Sequence, residues 1–137
     1  MRVSALDHIV LTVTDLDATV AFYSRVLGME EVVFGGGRRA LRFGAQKISL
    51  HEAGAEVSPA ARVPTPGAAD LCFLVEALDA VIARLDLAGV PIEEGPVSRT
   101  GAWSPLRSVY IRDPDGNLIE LSEPQEVVLA GGTGDAA

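Results

Sequence analysis

Leu6-Asp7-His8-Ile9-Val10-Leu11-Thr12-Val13 decides the fold, because Ala69-Asp70-Leu71-Cys72-Phe73-Leu74-Val75 repeats its pattern 62 positions later. Each stretch alternates polar and apolar residues and then runs apolar, as a strand entering a core does. Repetition at such an interval means two copies of one supersecondary unit. The segments downstream of the two strands repeat as well. Asp15-Leu16-Asp17-Ala18 opens a helical stretch that runs to Leu27 and stops at Gly28, and Leu78-Asp79-Ala80 opens another that runs to Ala88 and stops at Gly89. Val20, Tyr23, Val26 and Leu27 in the first, and Val81, Ile82, Leu85 and Ala88 in the second, give the 3-and-4 spacing of a core-facing helix. Both helices are expected to start at an acidic or Thr/Asp cap and to end at a left-handed glycine.

Strand-like runs come after each helix: residues 30–34, 39–43 and 47–52 in the first half, and 91–94, 108–112 and 117–122 in the second. Gly35-Gly36-Gly37 and Gly44-Ala45 supply turns, and Asp113-Pro114-Asp115-Gly116 is a strong turn signal. The order βαβββ thus occurs twice, which predicts an α+β fold. The expected domain covers residues 4–123, with one module at 4–52, a connector at 53–68 rich in Ala, Pro and Gly, and a second module at 69–123. Residues 124–137 are expected to form a flexible tail. With 137 residues, neither module has the size to be stable alone.

Composition narrows the function. Eleven Lys+Arg against 19 Asp+Glu leave a net charge of −8, which disfavours nucleic acid and anionic membrane as partners, since both need a basic face. No run approaches the roughly 20 apolar residues of a membrane span. Cys72 is the single cysteine, so no internal disulfide forms, and a reducing cytoplasm is the expected compartment. The chain has only two histidines, His8 and His51.

The arrangement Leu6 to Val13, Asp15, Ala21-Phe22-Tyr23 and Val26-Leu27-Gly28-Met29 resembles the opening module of the vicinal oxygen chelate superfamily. That superfamily contains glyoxalase I, extradiol dioxygenases and fosfomycin or bleomycin resistance proteins. Tyr110-Ile111-Arg112-Asp113-Pro114-Asp115-Gly116-Asn117-Leu118-Ile119-Glu120-Leu121 resembles its most recognisable signature. Phe43 to Glu52, Ala69 to Phe73, and Gly95-Pro96 with Arg99 to Ala102 are most similar to the small single-domain glyoxalase-domain, or virulence-type, proteins. The resemblance implies two βαβββ modules that form an incompletely closed β-barrel around a divalent metal, completed in a homodimer.

Metal ligation needs imidazole or carboxylate groups aimed at one point, and alternate positions of a strand supply such aim. His8 matches the superfamily's first-strand ligand, and Glu120 matches its last-strand carboxylate. Asp70 is the repeat mate of His8. The mate of Glu120, at an offset of 71, is Ser49, where glyoxalase-like members often carry a carboxylate. His51 lies two residues beyond Ser49 and shares its side of the strand. The expected metal set is therefore His8, His51 and Glu120, with Asp70 either a fourth ligand or an acceptor that orients an imidazole. Two histidines and a carboxylate suit Fe(II), and Zn, Ni, Mn or Co would accept them too. A strand histidine also serves commonly as an ordinary core or surface residue, and Cys72 reads as a small buried side chain more readily than as a thiolate ligand.

Arg42, Ser108 and Tyr110, with Asp70 and Cys72, are candidates to line a substrate pocket, together with Thr12, Ser49 and Leu74. The loop 99–107 carries Trp103, which either closes over a small molecule or covers an interface. Arg42 and Arg99 can neutralise an anionic substrate or be solvated surface charges. Two functions from different classes stay open. One is a divalent-metal-dependent lyase or dioxygenase-like enzyme acting on a small oxygenated substrate, with Glu120 as the catalytic carboxylate. The other is a non-catalytic protein that sequesters a small molecule of antibiotic type. A fold partner without either activity is the bland alternative.

Overall fold

The structure, a computed structural model, describes residues 1–126. Its elements are β1 (His8–Val13), α1 (Leu16–Ala21), a π-helical continuation (Phe22–Val26), β2 (Glu30–Phe34), β3 (Arg38–Phe43) and β4 (Gln46–Glu52). After the connector come β5 (Asp70–Leu74), α2 (Leu78–Leu87), β6 (Glu94–Thr100), β7 (Pro105–Arg112) and β8 (Leu118–Pro124). The βαβββ order thus occurs twice, and the fold is α+β with two four-stranded sheets. Both sheets are open, and no closed barrel is present among the described residues. Residues 127–137, most of the expected tail, lie outside them. No described helix is long and apolar enough to cross a membrane.

The chain divides into two compact units. The first, Met1–Ala69 with Asp113–Asn117, holds a sheet in the order β1, β4, β3, β2. β1 and β4 run parallel, and the other neighbours pair antiparallel. One face carries Leu11 and Val13 of β1, Ile48 and Leu50 of β4 and Leu41 of β3, all buried, with Val20 and Tyr23 from the helical segment in the same core. Asp15 caps α1 as expected: its carboxylate accepts the Ala18 N–H at 3.1 Å. The single helix expected to reach Leu27 instead widens after Ala21. Ser24 Oγ donates to the Val20 carbonyl at 2.7 Å, competing there with the backbone bond that a regular helix would make.

Asp113–Asn117 belongs to this first unit although β7 and β8 on either side belong to the second. Asp113 Oδ1 accepts the N–H groups of Asp115 and Asn117, each at 2.9 Å, which folds the turn on itself. Its Oδ2 accepts Asn117 Nδ2 at 2.8 Å and the buried Tyr23 hydroxyl at 2.6 Å.

The second unit, Asp70–Arg112 with the chain from Leu118 onward, holds the order β5, β8, β7, β6. Phe73, Val109, Ile111, Ile119 and Leu121 share one sheet face by strand alternation, and Leu78 and Leu85 of α2 are buried in the same unit. Two expectations fail here. No side-chain cap from its own start opens α2; Ala77 stands at its N-cap, and Glu123 of β8 accepts the Leu78 N–H at 2.9 Å instead. A strand at 91–94 is absent, because β6 begins at Glu94 and continues to Thr100. Gly95-Pro96 forms an irregularity between the Glu94↔Tyr110 and Val97↔Ser108 pairs, which the strand absorbs as a bulge.

The repeat is visible in the pairing. Val10 of β1 stands opposite Ser49 of β4, and Cys72 of β5 opposite Glu120 of β8, so the offsets of 62 and 71 hold in both sheets.

Candidate functional site on the second sheet

Successive strand residues point to opposite faces, so the face turned away from the core of the second unit is read off the register. β5 contributes Asp70, Cys72 and Leu74, β8 contributes Glu120 and Ser122, β7 contributes Leu106, Ser108 and Tyr110, and β6 contributes Glu94, Val97 and Arg99. This face is polar at its centre. Ser108 Oγ donates to Glu120 Oε2 at 2.7 Å, and Ser122 Oγ reaches the same oxygen at 3.2 Å. The two serines, both fully buried, lie 2.7 Å apart, and Ser122 Oγ is 3.3 Å from Cys72 Sγ. Tyr110 stands opposite Glu120 and accepts from Arg99 Nε at 2.9 Å. Arg99 is held in turn by Glu94 at 2.6 Å.

Protons along this array have one consistent direction. Desolvation pushes the Cys72 thiol up, outweighing the Ser122 hydrogen bond that pulls it down, so the thiol stays protonated at neutral pH and donates. Desolvation likewise raises Tyr110, against the opposing pull of Arg99. Each serine has one hydrogen. Ser108 therefore donates its hydrogen bond to Glu120 Oε2, Ser122 donates toward Ser108 or Glu120, and Cys72 donates to Ser122.

A cavity of about 320 Å³ opens over this cluster, at the small end of the range typical of ligand sites. Glu120 and Cys72 lie in its wall beside Leu74, Leu106 and Pro124, with the turn 100–104 along one side. Among the described residues lining it, none is Lys, Arg or His. The expected lid at 99–107 is mostly strand; only Gly101 to Ser104 forms the turn, closed by the Gly101 N–H to the Ser104 carbonyl at 2.9 Å. Trp103, at 97% exposure, projects from that turn and lines the cavity.

Of the sequence candidates, Cys72, Ser108, Tyr110 and Glu120 come together here, with Trp103 on the turn above, while Asp70 begins β5 and is exposed. Arg42 lies elsewhere, on β3 in the first unit, exposed and paired with Glu30. His8 opens β1, and its Nδ1 lies 2.8 Å from Asp7 Oδ2. His51 does not join it. His8 stands opposite Lys47 and His51 opposite Thr12, four residues further along β1, which separates the two backbones by about 13 Å at strand rise. Side chains that stand side by side on one sheet face do not close such a gap, so the expected His8 and His51 pair on one ion is not formed within this unit. Among the described residues no group of three or more His, Cys, Asp and Glu side chains is gathered in metal-holding geometry. Two further residues, Ser122 and Asp7, are not singled out by sequence pattern. Strand alternation from Glu120 reaches the first, and direct adjacency to His8 marks the second.

Comparison with known proteins agrees with this architecture. Residues 5–121 match the family model of the Glyoxalase/Bleomycin resistance protein/Dioxygenase superfamily. Virulence protein STM3117 of Salmonella typhimurium is 52% identical over 124 residues, which cover 90% of this chain and 86% of that protein. Its crystal structure superposes with a TM-score of 0.90, covering 91% of this chain and all of the other. Glyoxalase domain-containing protein RDO1 of Mycosarcoma maydis is 51% identical over 127 residues, 92% of this chain and 72% of that protein. The crystal structure of lactoylglutathione lyase from Agrobacterium tumefaciens is 31% identical, with a TM-score of 0.69 over 90% of this chain and 96% of the other. With its two βαβββ units and this match along most of its length, the chain belongs to the glyoxalase/bleomycin resistance protein/dioxygenase superfamily.

Proposed function

We propose that the protein is a divalent-metal-dependent, lyase-type enzyme for a small oxygenated molecule, and that Glu120 both holds the ion and carries the substrate proton. The observation behind this reading is the placement of Glu120: it lines the cavity while its Oε2 is tied to two buried serine hydroxyls. A carboxylate oriented before any ligand arrives meets the geometric demand of general acid–base chemistry. His8 supports the reading from its own unit. With Nδ1 donating to Asp7, the lone pair is left on Nε2, the arrangement that metal-binding histidines commonly have. Imidazole and carboxylate donors suit Ni, Co, Zn, Mn or Fe.

When bound, such an ion supplies Lewis-acid stabilisation to an oxygen that gains negative charge on the substrate. Glu120 takes a proton from the carbon beside a substrate carbonyl and returns it to the neighbouring carbon. Leu74, Leu106 and Trp103 hold the apolar body of the molecule. Lyase chemistry is favoured over extradiol ring opening, because the latter calls for two histidines beside the carboxylate and β1 and β4 keep His8 and His51 apart. The open edges of both sheets also favour a homodimer.

A second reading, sequestration of a small molecule without turnover, draws support from the apolar lining and from exposed Trp103. One experiment separates the two. The purified chain is stripped of metal, reloaded with Ni, Co, Zn, Mn or Fe(II), and assayed for isomerisation of hemithioacetals, alongside His8→Ala and Glu120→Gln. The enzyme reading expects metal-dependent turnover, a fall of at least about 100-fold in Glu120→Gln, and loss of bound metal in His8→Ala. Metal-independent ligand binding with no turnover in any loaded form would establish sequestration instead.

A further inference from the structure

The cavity on the second sheet is lined by one sign of charge. Among the described residues in its wall, the ionisable side chains are Glu120 and Cys72, and burial keeps the Cys72 thiol protonated at neutral pH. The arginines on the neighbouring strands are held by other carboxylates: Arg99 by Glu94 at 2.6 Å, Arg107 by Asp79 at 3.1 Å and Arg112 by Glu93 at 3.0 Å. Residues 70–112 and 118–126 of the second unit contain four arginines against nine Asp and Glu, with no lysine or histidine. Residues 127–137 add no Lys, Arg or His. Three donors of the wall are committed as well. The Gly101 N–H goes to the Ser104 carbonyl at 2.9 Å, Ser104 Oγ to the Pro105 carbonyl at 3.2 Å, and the Cys72 thiol to Ser122 at 3.3 Å. Around them stand Leu74 and Trp103, at 67% and 97% exposure, apolar side chains of the kind that a bound molecule covers.

We propose that this cavity selects its ligand by charge: the part of a molecule that enters it is apolar and uncharged, and molecules that place a carboxylate, phosphate or sulfonate there are rejected. Calling that ligand the substrate rests on the proposed lyase-type function; the selectivity itself belongs to the wall. An anion that enters gives up its water, finds no cation in exchange and meets the Glu120 carboxylate. An uncharged molecule of the same shape loses far less hydration and gains the same contacts with Trp103, Leu74 and Leu106. Like charges about 6 Å apart at a partly solvated site weaken binding by about tenfold. Neither Arg42 nor Arg99, whose charge would suit an anionic substrate, lines the cavity.

The test uses the full chain stripped of metal, with phenylacetamide and phenylacetate as probes of one shape that differ in charge. Binding is measured at neutral pH by equilibrium dialysis and by Trp103 fluorescence, for the wild type, Glu120→Gln and Leu74→Lys. The proposal expects the wild type to bind the amide at least about tenfold more tightly than the carboxylate. Glu120→Gln narrows that gap by raising affinity for the carboxylate, and Leu74→Lys, at an exposed strand position, closes or reverses it. Thermal unfolding of each variant is followed in parallel, and the wild-type comparison stands even where a variant folds poorly. Equal or tighter binding of phenylacetate by the wild type overturns the proposal, as does binding of neither probe at millimolar concentration. A gap that a folded Glu120→Gln leaves unchanged overturns its electrostatic basis. Preference for the amide in a protein that turns nothing over when loaded with metal leaves the selectivity standing while the lyase reading fails; metal-dependent turnover without that preference does the reverse.

Discussion

Four hydrogen bonds converge on Asp113, and one of them, from Tyr23, comes from a residue 90 positions earlier. Tyr23 is fully buried, and burial first, then the bond to Asp113, pushes its hydroxyl far above the ordinary value of 10.0. The folded state keeps a proton that the unfolded state releases above about pH 10, so this contribution is complete below pH 10 and is lost as pH rises beyond it. Tyr23→Phe is expected to cost about 1.5 to 3 kcal/mol in urea denaturation at neutral pH, and to blunt the loss of stability between about pH 9 and 11. An unchanged alkaline profile in that variant would count against Tyr23 as its source. Spacing alone marks Tyr23 as a core-facing helix position, but its partner is invisible there, because a turn signal says that Asp113 folds locally and not what its outer oxygen meets. The candidate site divides similarly. Glu120, Ser108, Tyr110 and Cys72 are legible through strand alternation, whereas the distance from His8 to His51 depends on a register between β1 and β4 that no single strand reveals.

Strand β6 is the element that the sequence obscures most. Glycine followed by proline signals a break, and the alternation that betrays a strand begins only at Val97 and Arg99. The structure tolerates both residues because a bulge takes up the mismatch with β7. A side chain at Gly95 would run into the Ser108 carbonyl, so glycine is what permits the close approach of β6 to the strand bearing the site serine. Gly101 has the same office at the hairpin tip. A Cβ there would lie 2.6 Å from the Ser104 carbonyl and 2.9 Å from Leu106 Cγ, and both neighbours help to line the cavity. Gly101→Ala is expected to lower stability by about 1 to 3 kcal/mol and to weaken small-molecule binding. Trp103 is the chain's single tryptophan, so quenching of its fluorescence by bound ligand reads the effect directly. Wild-type quenching in Gly101→Ala would show that the turn does not shape the site. The α2 start teaches a related point: Ala77 offers no cap, and Glu123 supplies one from a strand 45 positions away in sequence.

At the scale of the whole molecule, the chain carries the same four-stranded plan twice and arms it once. The doubled plan is readable in the sequence because offsets of 62 and 71 preserve each parallel pairing, Val10 with Ser49 and Cys72 with Glu120. Which copy keeps the carboxylate is readable too, since only the second retains one at that position. In the proposed reading, metal analysis of the loaded protein returns one ion per chain; two per chain would mean that the first sheet, with Ser49 and His51, holds an ion of its own.

The turn at Asp113–Asn117 has a consequence for how such a chain is inherited. It is threaded on the second unit's strands but counted among the first unit's residues, where it receives Tyr23, the Thr14 N–H on Asp115 and the Ala69 N–H on Asn117. A gene cut in the connector would therefore deliver a front fragment without the partner of its own buried tyrosine. A cut between the two copies is therefore not a clean division, since the front copy's buried hydroxyl takes its acceptor from a turn that the rear strands carry.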